Sequence, residues 1–253
     1  MNTPTFLYID DHPITIEQII DYLQTSGQLS SFISTVLQQH VLKQELQNCP
    51  QAKVSAEQIQ QIITNFRQEN QLLDDQHYQQ WLAQQGLTRT AFEQNITHQF
   101  QMNQFLPTIV EPKLQETFID QKLHLDQVVL SRLVVENWEL AEELKAQIIE
   151  EAASFEQLVR EYSISGDRVV NGMLGTISRG QLPDALRVAI DLAKVGDIVG
   201  PIEIDQKWCL FRLEQFLPAS LANEEVQQLL CNTIFDQWIA QKLHDKRVQL
   251  RVA

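Results

Sequence analysis

Three kinds of side chain in this 253-residue sequence could do chemistry by type and spacing: six histidines, three cysteines and scattered carboxylates. Metal ligation by imidazole needs two or more rings on one face, as at i and i+4 of a helix. His12, His40, His77 and His98 are dispersed and offer no such pair, so surface or capping roles are expected of them. Cys49, Cys209 and Cys231 make no ligand spacing either, and neither a metal nor any other cofactor is expected. Ser165 and Cys209 can be read as a nucleophilic pair, but a nucleophile needs a base. The only histidine that could serve as base within the segment holding both is His124, at its margin, and a buried structural role is the expected one for Cys209. Trp81 and Trp238 sit at helical spacing and read as core; Trp208 lies in a strand-like run beside the candidate cysteine.

Charge narrows the classes of partner. Asp and Glu number 33 against 19 Lys and Arg, a formal balance of −14. Residues 1–120 hold 5 basic and 13 acidic side chains, residues 121–253 hold 14 and 20. Neither part offers a basic face to phosphates, so nucleic-acid binding is not expected. Apolar runs such as Val128-Val129-Leu130 fall far short of the roughly 20 residues of a spanning helix, so no membrane insertion is expected. An odd cysteine count argues for a reducing compartment. Met1-Asn2-Thr3-Pro4 has no basic cluster, and Asp10-Asp11 interrupts the apolar run a secretory signal would need; a cytoplasmic location is the expectation.

The elements that must position any site fall into two kinds. Phe6-Leu7-Tyr8-Ile9 is a β-prone run ended by the turn composition Asp10-Asp11-His12-Pro13. Helical grammar follows to residue 122. Thr15 with Gln18 and Ser55 with Gln58 are capping boxes, Asp74 and Thr88 are N-caps, Gly86 is a stop, and Pro112 reads as the start of a further helix. A second helix follows Ser30-Ser31. The pattern changes between 123 and 217. A strand through Val128–Val135 precedes a helix over 136–150 and a shorter one capped by Ser154 and ending at Tyr162. Gly172, Gly175 and Gly180 mark turns before a helix over 183–192 and strands over 198–204 and 208–216. Residues 224–246 are helical again, and Val248 to Val252 alternates like a strand whose expected partner is Phe6 to Ile9.

Residues 125–217 resemble the parvulin, or rotamase, family of peptidyl-prolyl isomerases. The resemblance rests on Phe155 to Ser163, on Asn171-Gly172-Met173-Leu174-Gly175, on Ser178-Arg179-Gly180-Gln181-Leu182-Pro183 and on Lys194 to Ile202, in that order. The flanks resemble the helical chaperone domain of SurA-type and PpiC-type proteins, in which an opening strand, a Pro-Ile-Thr turn (here Pro13-Ile14-Thr15) and a distant C-terminal helix join. The resemblance implies an α+β chain: a helical SurA-like domain formed by both chain ends, 1–122 completed by 218–253, with a parvulin-like α/β domain, 123–217, inserted.

The reaction implied is rotation about an X–Pro amide, whose barrier is about 18–20 kcal/mol. Parvulins meet it with two histidines, a Cys or Asp beside them, and a Met or Leu plus a Phe around the proline ring. Carried over residue by residue, the catalytic positions are Arg132 and Cys209 for the two histidines and Ser165 for the Cys or Asp. The substrate-binding positions are Leu182 for the Met or Leu, Ala185 for the Phe, and Leu174 and Trp208 beside them. Arg132 puts a permanent charge where a neutral imidazole belongs. Losing a ring like that Phe removes a contact of the kind worth about 3–5 kcal/mol in a core. The expected function is therefore a prolyl-isomerase-family folding chaperone, with weak or lost catalysis, that binds unfolded or proline-containing polypeptides. The alternative is a non-catalytic adaptor or assembly factor for a peptide precursor or a membrane peptide exporter.

Overall fold

The computed structural model describes residues 5–244 and 246–249. Its contacts divide the chain into two compact units, one made of residues 1–114 and 231–253, the other of 115–230.

The first unit draws on both chain ends. β1 (Thr5–Ile9) turns back on β2 (His12–Thr15) as an antiparallel hairpin, with Tyr8 opposite Pro13 and Ile9 opposite His12. Asp10 and Asp11 take positive φ in the two-residue turn, a conformation short polar side chains tolerate best after glycine. β1 therefore pairs with its neighbour in sequence. The C-terminal partner expected for it is not formed by residues 246–249, which are neither helix nor strand, and residues 250–252 lie outside the described residues.

α1 (Ile16–Thr25) and α3 (Ala56–Glu69) open on the capping boxes expected of Thr15 and Ser55, each hydroxyl accepting from the N3 amide while the N3 glutamine returns the bond. α2 is Leu29–Asn48 and α4 is Asp75–Gln84, the latter capped by the Asp74 carboxylate. The helix start expected at Pro112 is not made. α5 runs from Arg89 to Leu125 with Pro107 and Pro112 inside it. Each proline forfeits one helix bond and crowds the preceding turn, and the Thr108 hydroxyl donates to the Phe105 carbonyl between them, 2.7 Å away. α9 (Glu224–His244) returns Trp238 and Ile239 to a core with Val41, Leu42, Leu46 and Phe105. A second cluster packs Phe66, Tyr78, Trp81 and Phe92, with ring centroids 5.1 to 6.1 Å apart.

The second unit is built on an antiparallel sheet in the order β4-β3-β6-β5. The strands are β3 (Gln127–Val135), β4 (Met173–Ser178), β5 (Ile198–Ile204) and β6 (Lys207–Leu217). β4 occupies a segment whose glycines suggested only turns. It forms because Gly175, at positive φ opposite Leu130, takes up a register shift at Leu130/Ser131 instead of ending the strand. Strand alternation divides the core in two. Val128, Leu130, Val134, Cys209, Phe211 and Leu213 face α8 (Asp184–Leu192), while Leu133, Val135 and Leu210 face α6 (Trp138–Glu150) and α7 (Phe155–Tyr162). Among the described residues no helix is long and apolar enough to cross a membrane.

Candidate functional site

The residues at the catalytic positions meet on the α8 side of the sheet, at the middle of β3. Arg132 and Cys209 come from neighbouring strands in register, with Arg132 opposite Phe211 and Val134 opposite Cys209. Ser165 comes from the segment between α7 and β4, and this segment is stitched to β3 along its length. The Val134 amide donates to the buried Ser163 hydroxyl at 3.2 Å, the Ile164 amide to Val134 O at 2.9 Å, and the Arg132 amide to Gly172 O at 2.8 Å.

Gly172 has to be glycine. Its φ is +75°, and a Cβ built there would stand 2.0 Å from the Arg132 carbonyl oxygen. The residue before it, Asn171, takes the left-handed conformation at φ 59°. These two turn the chain back so that Gly172 N–H reaches Asp167 O at 2.9 Å.

This loop holds a residue that sequence reasoning did not single out. Asp167 Oδ2 accepts from Arg132 Nε at 2.7 Å, and Arg132 Nη2 donates to Ser165 Oγ at 3.0 Å. Two of the three catalytic positions are thus joined to each other and to a carboxylate. The sequence did carry a signal: a guanidinium in a half-buried strand needs a carboxylate, and Asp167 lies two residues beyond Ser165 in the loop that faces it.

Cys209 stands apart from that trio chemically. It is 2% exposed, and burial pushes its thiol up against the downward pull of the Arg132 charge. A thiol so placed stays protonated and packs as a small apolar side chain. The nucleophilic pair of Ser165 and Cys209 therefore does not form: the serine hydroxyl serves Arg132 and the cysteine is closed in. His124, the histidine at the margin of that segment, is held against Gly180, where its Nδ1 lies 2.0 Å from the position a Cβ would take.

The substrate-binding positions divide. Leu182 is in the apolar cluster with Cys209 and Phe211, and Leu174 packs against it half-buried. Ala185 is exposed, and the next residue, Leu186, takes the inward place with Ile190 one helical turn on. The reason is the 100° step between successive helical residues: if 186 and 190 point to the sheet, 185 points away. Trp208 is also on the wrong side. It neighbours Cys209 in β6, so the period of two sends it to the other face, against Leu133, Leu144 and Phe155. That opposite face has its own polar anchor, Arg212, whose Nη2 donates to Glu156 at 2.7 Å and whose Nε donates to Glu214 at 2.8 Å. The Arg212 guanidinium also lies 4.6 Å from the Phe155 ring centroid. The hydrogen bond from Arg212 is the chief reason the Glu156 carboxyl is lowered to about 2. Among the described residues no group of three His, Cys, Asp or Glu is placed to hold a metal ion.

Residues 135–215 match the Rotamase family, described as the PPIC-type PPIASE domain. The chain therefore carries a parvulin-type domain, inserted in a helical unit to which both chain ends contribute. No curated protein sequence matches it. Solved structures similar to it include PrsA from Bacillus subtilis, 16% identical over 99% of this chain and 95% of that one, with a TM-score of 0.34. The peptidylprolyl isomerase PrsA from Bacillus cereus is 14% identical over 99% and 95%, with a TM-score of 0.44. A chain from the work on PEB4 and Cj1289, two SurA-like chaperones of Campylobacter jejuni, is 16% identical over 98% and 100%, with a TM-score of 0.37.

Proposed function

We propose that this chain is a polypeptide-binding folding factor whose rotamase domain keeps its scaffold but no longer turns proline bonds through the family's catalytic positions. The observation that carries the reading is the locking of Arg132 by Asp167 and Ser165 beside a buried, protonated Cys209. Isomerisation needs polar groups placed around a twisting amide, stronger in the transition state than in the ground state. An arginine already engaged by a carboxylate and a hydroxyl has spent its preferred geometry inside the protein. Leu182 and Leu186, which would grip a proline ring, are 6% and 2% exposed and fill the core.

A second reading, weak residual isomerisation, is favoured by one feature: Leu174, which packs against the cluster that holds Leu182, remains partly exposed. Two assays on the purified full chain separate the readings. The first reading expects uncatalysed rates on X–Pro peptides together with suppressed aggregation of a reduced, unfolded protein. Isomerisation well above background that falls in Leu182→Ala would establish the second reading. A chain that neither isomerises nor suppresses aggregation would overturn both.

A further inference from the structure

The sequence holds a single Asn-Gly step, Asn171-Gly172. Such a step is prone to spontaneous loss of ammonia, because glycine has no side chain to hinder attack by its backbone nitrogen on the asparagine amide carbon. Here it sits where the loop after α7 is fastened to β3, just behind a short turn of 3-10 helix, Gly166–Val170. Val169 and Val170 of that turn are 81% and 55% exposed, while Gly172 is buried.

The closed loop keeps the reacting atoms apart in two ways. Asn171 has φ 59° and ψ 31°. At that ψ an L-residue holds the next nitrogen nearly opposite its own Cβ across the Cα–C bond, so the Gly172 nitrogen faces away from the Asn171 side chain. The same nitrogen donates to Asp167 O at 2.9 Å, and Gly172 O accepts from the Arg132 amide at 2.8 Å. Ring closure requires Asn171 to leave the left-handed region and the Gly172 N–H bond to break. The reaction therefore waits on local opening of the loop.

We propose that Asn171-Gly172 is a self-modification site, gated by the loop that carries Ser165 and Asp167 to Arg132, whose isoaspartyl product leaves that loop lifted from β3. Gly172 N attacks Asn171 Cγ, the Cγ–Nδ2 bond breaks, and ammonia leaves with the amide proton to give a cyclic imide. Water then adds at the Asn171 main-chain carbonyl, giving isoaspartate, or at Cγ, giving aspartate. In isoaspartate the main chain runs through the former side chain and is longer by a carbon atom. Gly172 has no slack for the shift, since even a Cβ there would stand 2.0 Å from the Arg132 carbonyl oxygen. Ageing thus converts a clasped Arg132 into an open one, and this holds whatever the chain binds.

The test is incubation of the full chain at neutral and alkaline pH, followed by tryptic mapping of residues 169–179 for aspartate and isoaspartate. A free peptide of the same residues gives the ungated rate. The native rate is expected to equal the peptide rate divided by the hydrogen-exchange protection factor of the Gly172 amide, within about threefold, because both reactions need the same opening. Asp167→Ala should raise the native rate at least about fivefold and lower the protection to match. The wild-type comparison stands without that variant. Native modification as fast as in the peptide overturns the gate, as does a rate far above the one the protection sets. An absence of isoaspartate even from the chain unfolded in urea overturns the site itself. An isoaspartyl chain that regains wild-type protection at Gly172 overturns the lifted product. Asn171→Asp copies the aspartyl product without lengthening the chain and suits the positive φ, so it should keep that protection. Its loss there would assign the effect to charge and overturn the argument from chain length.

Discussion

Arg132 and Asp167 lie 35 residues apart in the sequence, and their side chains meet at 2.7 Å across β3 and the loop that leads into β4. The arginine occupies the position where the family resemblance implies a catalytic histidine, and the aspartate converts it from a misplaced charge into a clasp. Both are more than half shielded from water, at 33% and 14% side-chain exposure, so the pair is worth more than a surface salt bridge and less than a dry one.

Asp167→Ala should therefore lower stability by about 1–2 kcal/mol, because it leaves a partly buried guanidinium without its carboxylate. In a double-mutant cycle with Arg132→Met, the loss should shrink in the Met background. Urea unfolding followed by tryptophan fluorescence measures both; additive losses would mean that the two side chains do not interact.

Gly172→Ala should be worse, at more than about 2 kcal/mol. The new methyl would meet the Arg132 carbonyl while the backbone stays at a φ that L-residues resist. Gly27→Ala, also at positive φ but with open space around it, should cost less. The difference in their urea midpoints isolates the steric part.

Thiol chemistry checks the fate of Cys209. In the native chain Cys231, which is half-buried, should label first with a small disulfide reagent, whereas Cys49 and Cys209 should label only as the protein opens. Peptide mapping after timed labelling gives the order. Early modification of Cys209 would contradict a closed core at that position.

The register of α8 is decided by a pair of substitutions. Leu186→Ala should cost about 2–5 kcal/mol, since the side chain fills the cluster beneath the sheet. Ala185→Leu, on the exposed side, should change stability by no more than about 0.5 kcal/mol. Thermal melts of the two variants suffice.

Acid should unfold the domain through two carboxyls. The Arg212 hydrogen bond is the main cause that brings Glu156 to about 2. At Asp126 burial pushes upward, but bonds from Lys122, the Ala219 amide and Arg179 outweigh it and hold the group below its ordinary range. Both folded values lie below the unfolded ones, so the unfolded chain binds more protons as acid is added. Their stabilisation is complete above the unfolded values, 4.5 for Glu156 and 3.8 for Asp126, and disappears as the pH falls through the folded values, about 2 for Glu156. Glu156→Gln and Asp126→Asn should each flatten the fall in urea midpoint between pH about 5 and 2.

The amino-acid sequence alone carried what depends on neighbours along the chain. Capping boxes at Thr15 and Ser55, the Asp74 cap and the apolar β-prone runs of β3 and β6 are short-range patterns, and each formed as read. It also carried the order of turns by which the rotamase domain is recognised. Other features needed the third dimension. Pro112 stays inside α5, and Gly175 inside β4, because neither local preference was the deciding term. Trp208 and Ala185 moved away from the site through one-residue geometry, since the face a side chain takes depends on which neighbour the sheet or helix already buries. The clasp of Asp167 on Arg132 arises only when a loop folds back onto a strand. Sequence spacing holds the local periodicities of helix and strand, but a contact between distant residues exists only once packing has fixed both backbones.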